Sequence, residues 1–193
     1  MSRRTRQPLL VLALLSMLMT LAVAPASAAP PVREDVDFFT IPFDPEHELV
    51  AFWNISRDDY CAWEASNFEG PAPVEQLIPA TFVETGKGAV VMHGDGVSTL
   101  ELWALDEGAD LSGPCQDTDA QDGPWAVGTA HWTRNDNDLD VSGTRTNAFG
   151  ERLRGTVVDA AGNAWHFSGH FRAVIDRDGE FRVVSEQFTL SGG

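Results

Sequence analysis

The sequence predicts an all-β protein with an antiparallel sheet of about eight strands and few or no helices once its N-terminal segment is removed. Apolar and polar residues alternate along 165–175, as on a strand with one buried face. Clusters of Gly, Asn and Asp separate such stretches, as in hairpins. A sheet of this size has to curl or fold over, so we expect an up-and-down barrel, with a two-sheet sandwich as the alternative.

Residues 1–28 have the three parts of an export signal. Three arginines lie within the first six residues, Leu9–Val23 is a fifteen-residue apolar stretch, and Ala26-Ser27-Ala28 is a small-residue cleavage site. A membrane-spanning helix needs about 20 apolar residues, so this stretch is too short for an anchor. We expect cleavage near Ala28 and a secreted, extracellular protein.

The remaining chain is strongly acidic. Removal of the first 28 of 193 residues takes away three arginines and no acid, which moves the formal net charge from −16 to −19. Nucleic acids and anionic lipids are bound by neutralising phosphates with Lys and Arg, so neither is an expected partner. We expect an extended lead-in at 29–47, a single monomeric β domain at 48–193, and no membrane partner after cleavage.

Cys61 and Cys115 are the two cysteines of a chain sent to an oxidising compartment. A disulfide between them is the default expectation. In the chain-entropy model, closing the intervening loop stabilises the fold by roughly 4 kcal/mol.

The first half of the domain reads as strands separated by irregular segments. Glu48–Ser56 is rich in Val, Phe, Trp and Ile and predicts a strand, whereas prolines in Arg57–Pro79 predict an irregular segment. Thr81–Thr85 predicts a short strand. Gly94-Asp95-Gly96 then separates two strand patterns and predicts a hairpin turn.

The second half begins with an acidic loop at 106–123 and a strand at Trp125–Arg134, followed by a predicted turn at Asn135–Asp138. Asp159–Asn163 and Asp176–Gly179 predict two further hairpin turns.

The register of the last hairpin follows from its turn. It places Ile175 opposite Phe181, Ala173 opposite Val183, and His170 opposite Glu186. Phe188 and Leu190 would then lie on the polar face, so we predict a β-bulge at Ser185–Gln187.

The C-terminal part carries a family resemblance. Gly155–Asn163, Trp165-His166-Phe167 and the final Gln187–Gly192 resemble small secreted β-proteins of actinobacteria. The resemblance covers about a quarter of the chain and implies a compact, exported, all-β domain of uncharacterised function. It carries over no catalytic residue.

A ligand-binding site is predicted from aromatic residues outside the strand patterns. Trp63, Trp125 and Trp132 lie in or beside loops, with His131 next to the last of them. Such rings can stack on a sugar or cover an apolar pocket, whereas in the alternative they cap the ends of a barrel. We place the ligand, a small molecule or polysaccharide, at the barrel mouth, since eight strands enclose room for one small ligand.

Calcium is the cofactor for which the sequence offers a candidate site, and otherwise we expect none. Asp136, Asp138 and Asp140 alternate as at the start of an EF-hand loop. Val141 takes the glycine position and Asn147 the position of the bidentate Glu, so a looser calcium site is the hypothesis that remains.

Catalysis has no specific motif in this sequence, and the catalytic residues are unknown. A Gly-x-Ser-x-Gly nucleophile motif is absent. His166 and His170 are about 13 Å apart on one strand, too far to share a zinc ion. The pattern favours a binding module over its alternatives, an extracellular carboxylate-dependent enzyme or a calcium-stabilised surface protein.

Overall fold

The computed structural model describes residues 29–44, 47–85, 89–109, 113–140, 147–175 and 180–193, so the predicted export signal lies outside it. Its elements are β1 (Val32–Val36), β2 (Phe43–Asp44), β3 (Leu49–Trp53), α1 (Arg57–Ala65), β4 (Ile78–Glu84), β5 (Ala89–Ala104), β6 (Ala126–Asp140), β7 (Asn147–Asp159), β8 (Ala164–Ile175) and β9 (Phe181–Gly192).

The strands form one antiparallel sheet, which confirms the predicted all-β class. Their order is β1-β4-β5-β6-β7-β8-β9, and β3 joins β5 on one side and β2 on the other. The sheet is open, because no ladder between described residues joins β9 to a strand other than β8, so the expected closed barrel is not formed. The sheet curls until β2 approaches β9, where the rings of His47 and Phe188 lie 5.9 Å apart. This geometry is consistent with the sandwich-like alternative.

Strand β5 corrects the predicted hairpin at Gly94-Asp95-Gly96. It runs unbroken over 16 residues, pairing with β4 through its first part and with β3 through its last. A Cβ at Gly94 would lie 2.8 Å from the Trp132 ring, and one at Gly96 would lie 2.7 Å from Ile78. The two glycines therefore make room for core side chains where β5 changes partner, and do not turn the chain.

Strand β6 corrects the turn predicted at Asn135–Asp138, since it continues to Asp140. Asn135 is paired with His93 of β5 on one side and with Gly150 of β7 on the other. Two neighbouring strands thus satisfy the backbone here and override the turn preference of Asn and Asp.

The inward faces of β3 to β9 meet in a single core. At its centre the Trp53 and Trp132 rings are stacked with centroids 5.1 Å apart, and both side chains are fully buried. Trp53 Nε1 donates a hydrogen bond to the Ala130 carbonyl at 3.1 Å. The other core residues are Leu49, Ala51, Ile78, Leu100, Leu102, Ala126, Ala130, Leu153, Val157, Phe167 and Phe188.

A smaller cluster on the opposite face of β3 is covered by helix α1. Val50, Phe52 and Trp103 form this cluster, and Tyr60 of the helix packs on it. The helix lies in the segment expected to be irregular. Its start is fixed by Ser56 as the N-cap, whose hydroxyl accepts from the Asp59 amide and donates to the Asp59 carboxylate.

The predicted disulfide is confirmed. Cys61 of α1 is bonded to Cys115, with their Cα atoms 5.6 Å apart. The cross-link attaches the helix to the loop between β5 and β6. Arg57 reinforces this attachment, since its buried guanidinium donates to the Thr118 carbonyl.

Asn54 connects three separate parts of the chain through one buried amide. Its Nδ2 donates to the carbonyls of Phe38 and Gln76 at 2.5 and 2.9 Å. Its Oδ1 accepts from the Gln76 amide at 3.2 Å and from the Ser98 hydroxyl at 2.9 Å. The residue is fully buried with φ 59°, a left-handed conformation that Asn tolerates better than most residues.

The last hairpin agrees with most of its predicted register. Ile175 faces Phe181 and Ala173 faces Val183, as expected. A bulge occurs at Val184, one residue before the predicted range, because Arg172 pairs with Ser185 and Ala173 with Val183. It returns Phe188 to the core against Phe167, at a centroid distance of 4.5 Å. The predicted pairing of His170 with Glu186 is wrong, since His170 faces Gln187.

Glycine at position 94 is expected to be required by the core. Gly94→Ala should lower the free energy of unfolding by about 1–3 kcal/mol, because a methyl group there overlaps the Trp132 ring. Gly150→Ala is the control, since its Cβ would meet nothing closer than the Phe171 carbonyl at 3.8 Å. Urea unfolding of both variants measures the difference, and equal effects would contradict this role for Gly94.

The Asn54 amide is expected to be a main source of stability. Asn54→Gly keeps the left-handed backbone accessible but leaves buried groups of Phe38, Gln76 and Ser98 without their partner, which should cost about 2–5 kcal/mol. Asn67→Gly is the matched control, because Asn67 has φ 58° but is exposed. Thermal and urea unfolding should separate the two variants clearly; similar midpoints would show that the amide network adds little.

Candidate functional site

The outward side of β6 to β9 carries most of the polar chemistry of the second half of the chain. Side chains alternate along each strand, so Arg152 and Arg154 of β7 point away from the core residue Leu153. The ladders place Arg152 between Thr133 and His170. We call this surface the outer face.

The outer face contains no acidic residue at its described positions, although the chain has 29 Asp and Glu residues. Hydroxyl, amide, imidazole and guanidinium groups dominate it. Its members are Val127, Thr129, His131, Thr133, Asn135, Ala148, Gly150, Arg152, Arg154, Thr156, Val158, Ala164, His166, Ser168, His170, Arg172, Val174, Arg182, Ser185, Gln187, Thr189 and Ser191. This arrangement offers many hydrogen-bond donors and several positive charges to a ligand.

A concavity of about 450 Å³ lies on the outer face towards one end of the strands. We call it the outer concavity. Arg152, His170 and Arg172 are among its lining residues, with Asn135 on one side and Ser185 on the other. Glu151 also belongs to the lining, but its side chain lies on the inward side, where it is paired with Arg134. Ligand sites for small molecules have volumes of roughly 300–1,000 Å³, so the outer concavity is large enough for one sugar unit or more.

The arginines of the outer face differ from Arg57 and Arg134. Arg134 is ion-paired with Asp136 and Glu151, and Arg57 is packed over the Trp103 ring. Within the part of the chain that the structure describes, Arg152, Arg154 and Arg172 are exposed and have no carboxylate within 4.0 Å. Their guanidinium groups are available to an external anion.

Two histidine contacts mark the border of the outer face with β5. His131 Nε2 lies 2.9 Å from the Asp95 carboxylate, and His93 Nδ1 lies 2.7 Å from Asn135 Oδ1. Asp95 is therefore engaged by His131 at the edge of the face.

A second polar cluster is buried beneath the outer face. Arg134 Nε lies 2.9 Å from Asp136, and its Nη1 lies 3.1 Å from Glu151. The side chains of Asp136 and Glu151 are only 1% and 14% exposed. Burial raises the pKa of both carboxyl groups, while the Arg134 charge opposes this rise.

The lead-in covers this buried cluster. The Phe38 ring lies 5.0 Å from the Arg134 guanidinium carbon, and the Thr40 hydroxyl donates to Glu151. An adjoining void lined by Trp132, Glu151 and Phe188 has a volume of about 20 Å³. Such a space holds about one water, which is too little for a sugar unit.

The aromatic residues proposed as a ligand site lie in different places. Trp132 is in the core, and Trp125 packs against Trp165 with centroids 5.3 Å apart. Trp63 belongs to α1 and contacts Phe39 and Phe68. His131 is the member of the set that lies on the outer face. The structure does not bring the four side chains into one group of contacts among the described residues.

The residues proposed for calcium have one member whose surroundings are described. Asp136 is buried and bound by Arg134, whereas the side chains of Asp138 and Asp140 lie outside the described residues. Among the groups that the structure does describe, no three His, Cys, Asp or Glu side chains are placed to hold a metal ion. The calcium hypothesis stays a prediction.

Comparison with known proteins gives no relative from which a role could be transferred. No family model, curated protein or solved structure matches the chain. Separately, none of the described helices is long and apolar enough to cross a membrane.

Ionisation of Glu151 is expected to cost stability. Its pKa is raised by burial above the ordinary 4.5, so the folded state is favoured while the group is protonated, and this contribution is lost as the pH rises through the folded-state pKa. The free energy of unfolding of Glu151→Gln should therefore fall less than that of the parent protein as the pH rises from 4.5 towards neutrality.

Asp159→Asn is the control for this pH dependence. Hydrogen bonds from Trp165, Asn163 and Ala161 lower the pKa of Asp159 to about 2, so its contribution to stability is lost only as the pH falls from about 4 through 2. Urea unfolding measured at a series of pH values tests both variants. A Glu151→Gln profile parallel to that of the parent protein above pH 4.5 would contradict the assignment.

Proposed function

We propose that the protein is exported and acts as a carbohydrate-binding module, with the outer concavity as its ligand site. The observation that carries this proposal is a polar concavity of about 450 Å³ on a strand face whose described outward positions carry no acidic residue. Hydroxyl, amide and imidazole side chains at this concavity can both donate and accept hydrogen bonds, as sugar hydroxyl groups require.

The filled core supports an external rather than an internal site. Trp53 and Trp132 fill the centre of the fold, and the void beside Glu151 holds about one water. A ligand is thus better accommodated on the outer face than at the barrel mouth that the sequence predicts. The Cys61–Cys115 disulfide fits an extracellular location and supports the export part of the proposal.

The paired state of the buried carboxyl groups favours binding over catalysis. A carboxylate-dependent hydrolase needs its two carboxyl groups beside the bond that is broken. Asp136 and Glu151 instead share Arg134 beneath the lead-in. We therefore assign them a structural role as the partners of Arg134.

Binding is tested by titrating the ¹⁵N-labelled protein with soluble oligosaccharides. Amide shifts should concentrate at Gly150, Arg172 and Ser185 and leave helix α1 unaffected. Asn135→Ala and His170→Ala should each weaken binding about 2–10-fold, as expected for the loss of one hydrogen bond. Gln121→Ala, an exposed amide in the loop between β5 and β6, should leave the affinity unchanged. Shifts confined to residues away from the outer face would contradict the proposed site.

A further inference from the structure

We infer that the ligand of the outer concavity is an acidic carbohydrate, whose carboxylate groups are bound by Arg152 and Arg172. This inference rests on the proposed function, because it names the class of carbohydrate for the same site. Both arginines line the outer concavity and are exposed.

The position of the positive charge is the first argument. The whole chain has a formal net charge of −16, with 13 Lys and Arg against 29 Asp and Glu. Against this balance, four arginines lie on three adjacent strands of the outer face, which has no acid among its described members. They are Arg152, Arg154, Arg172 and Arg182. Charge of this sign on an acidic protein is complementary to a local anion.

The lack of internal partners is the second argument. Arg134, on the inward side of β6, is held by two carboxylates, whereas Arg152 and Arg172 have none within 4.0 Å among the described residues. Guanidinium groups bind carboxylates with two parallel hydrogen bonds, which gives both affinity and orientation. Within the described residues, the outer concavity can therefore accept a carboxylate without breaking an existing ion pair.

The neutral polar residues around the arginines favour a carbohydrate as the ligand over a polyanion with closely spaced charges. Thr133, Asn135 and Ser185 surround the arginines with neutral hydrogen-bonding groups. A sugar carrying one carboxylate matches this mixture of few charges and many hydroxyl partners. A nucleic acid presents closely spaced phosphates, which the overall negative charge would repel.

The repeat along β7 extends the site beyond one sugar unit. Arg154 lies two residues beyond Arg152 on the same face, about 7 Å away at roughly 3.3–3.4 Å per residue. His131 and Ser168 flank Arg154 on the neighbouring strands. A chain of acidic sugars would thus meet further donors past the outer concavity.

The test compares polygalacturonate with its fully methyl-esterified form, which keeps the sugar backbone and removes the charge. Isothermal titration should show polygalacturonate binding at least about tenfold more tightly, with the difference shrinking as salt is added. Arg152→Gln and Arg172→Gln should each weaken binding of the acidic polymer on the order of tenfold. Both should bind the ester as the parent protein does.

Arg33→Gln is the matched control, because it removes the same charge from an exposed position on β1. It should leave the affinity for polygalacturonate unchanged, and thermal midpoints should confirm that all three variants are folded. Equal binding of both polymers, unaffected by Arg152→Gln or Arg172→Gln, would overturn the inference while leaving the carbohydrate-binding proposal standing. Failure of both polymers to bind, with no amide shifts on the outer face, would overturn both.

Discussion

The hydrogen-bonding requirement of the buried Asn54 amide is the constraint on which the arrangement of the fold depends. A fully buried amide has to find partners for its donors and its acceptor, and Asn54 finds them in Phe38, Gln76 and Ser98. These residues belong to the lead-in, the segment before β4, and β5. Their positions relative to the end of β3 are therefore fixed by one side chain.

The position of the lead-in has consequences for the interior. With its carbonyl bound by Asn54, Phe38 lies against both Trp132, at 5.1 Å between ring centroids, and the Arg134 guanidinium. The aromatic ring thus covers a buried ion cluster that would otherwise be open to water. Among the described residues, the open side of the curled sheet is covered by the lead-in and is not closed by a ladder.

Sequence reasoning succeeded where structure depends on residues close along the chain. The pairing of β8 with β9 and its bulge follow from local alternation of apolar and polar residues, and both are found within one residue of their predicted places. The turn predicted between the two strands, Asp176–Gly179, lies outside the described residues. The turn predicted at the glycines of β5 was wrong because the residue that requires a glycine there is distant in sequence. Gly94 makes room for Trp132, 38 positions further along the chain. The start of α1 carried a local signal, Ser56 and Asp59, that a search for longer periodic helices passes over.

The candidate site was harder to predict from the sequence, because its residues come together only through the pairing register of β6 to β9. The alternation of Arg152 and Arg154 with apolar neighbours is visible in the chain, as is that of His166 and His170. Their assembly into a surface without acids requires the pairing of four strands, which composition does not supply. In the sequence, Trp132 lies near a predicted turn and resembles a surface residue. In the structure it is buried, because the Trp53 ring stacks on it.

The bulge at Val184 also affects whether two copies of the protein can associate through the edge of β9. β9 ends the sheet, and its ladder with β8 leaves a second edge with backbone donors and acceptors. Val183 and Val184 are 45% and 52% exposed, a combination of apolar side chains and edge backbone that favours strand-to-strand aggregation. An extra residue at this point breaks the even spacing that an incoming strand would need. The irregularity that returns Phe188 to the core thus also discourages the sheet from growing into a larger assembly.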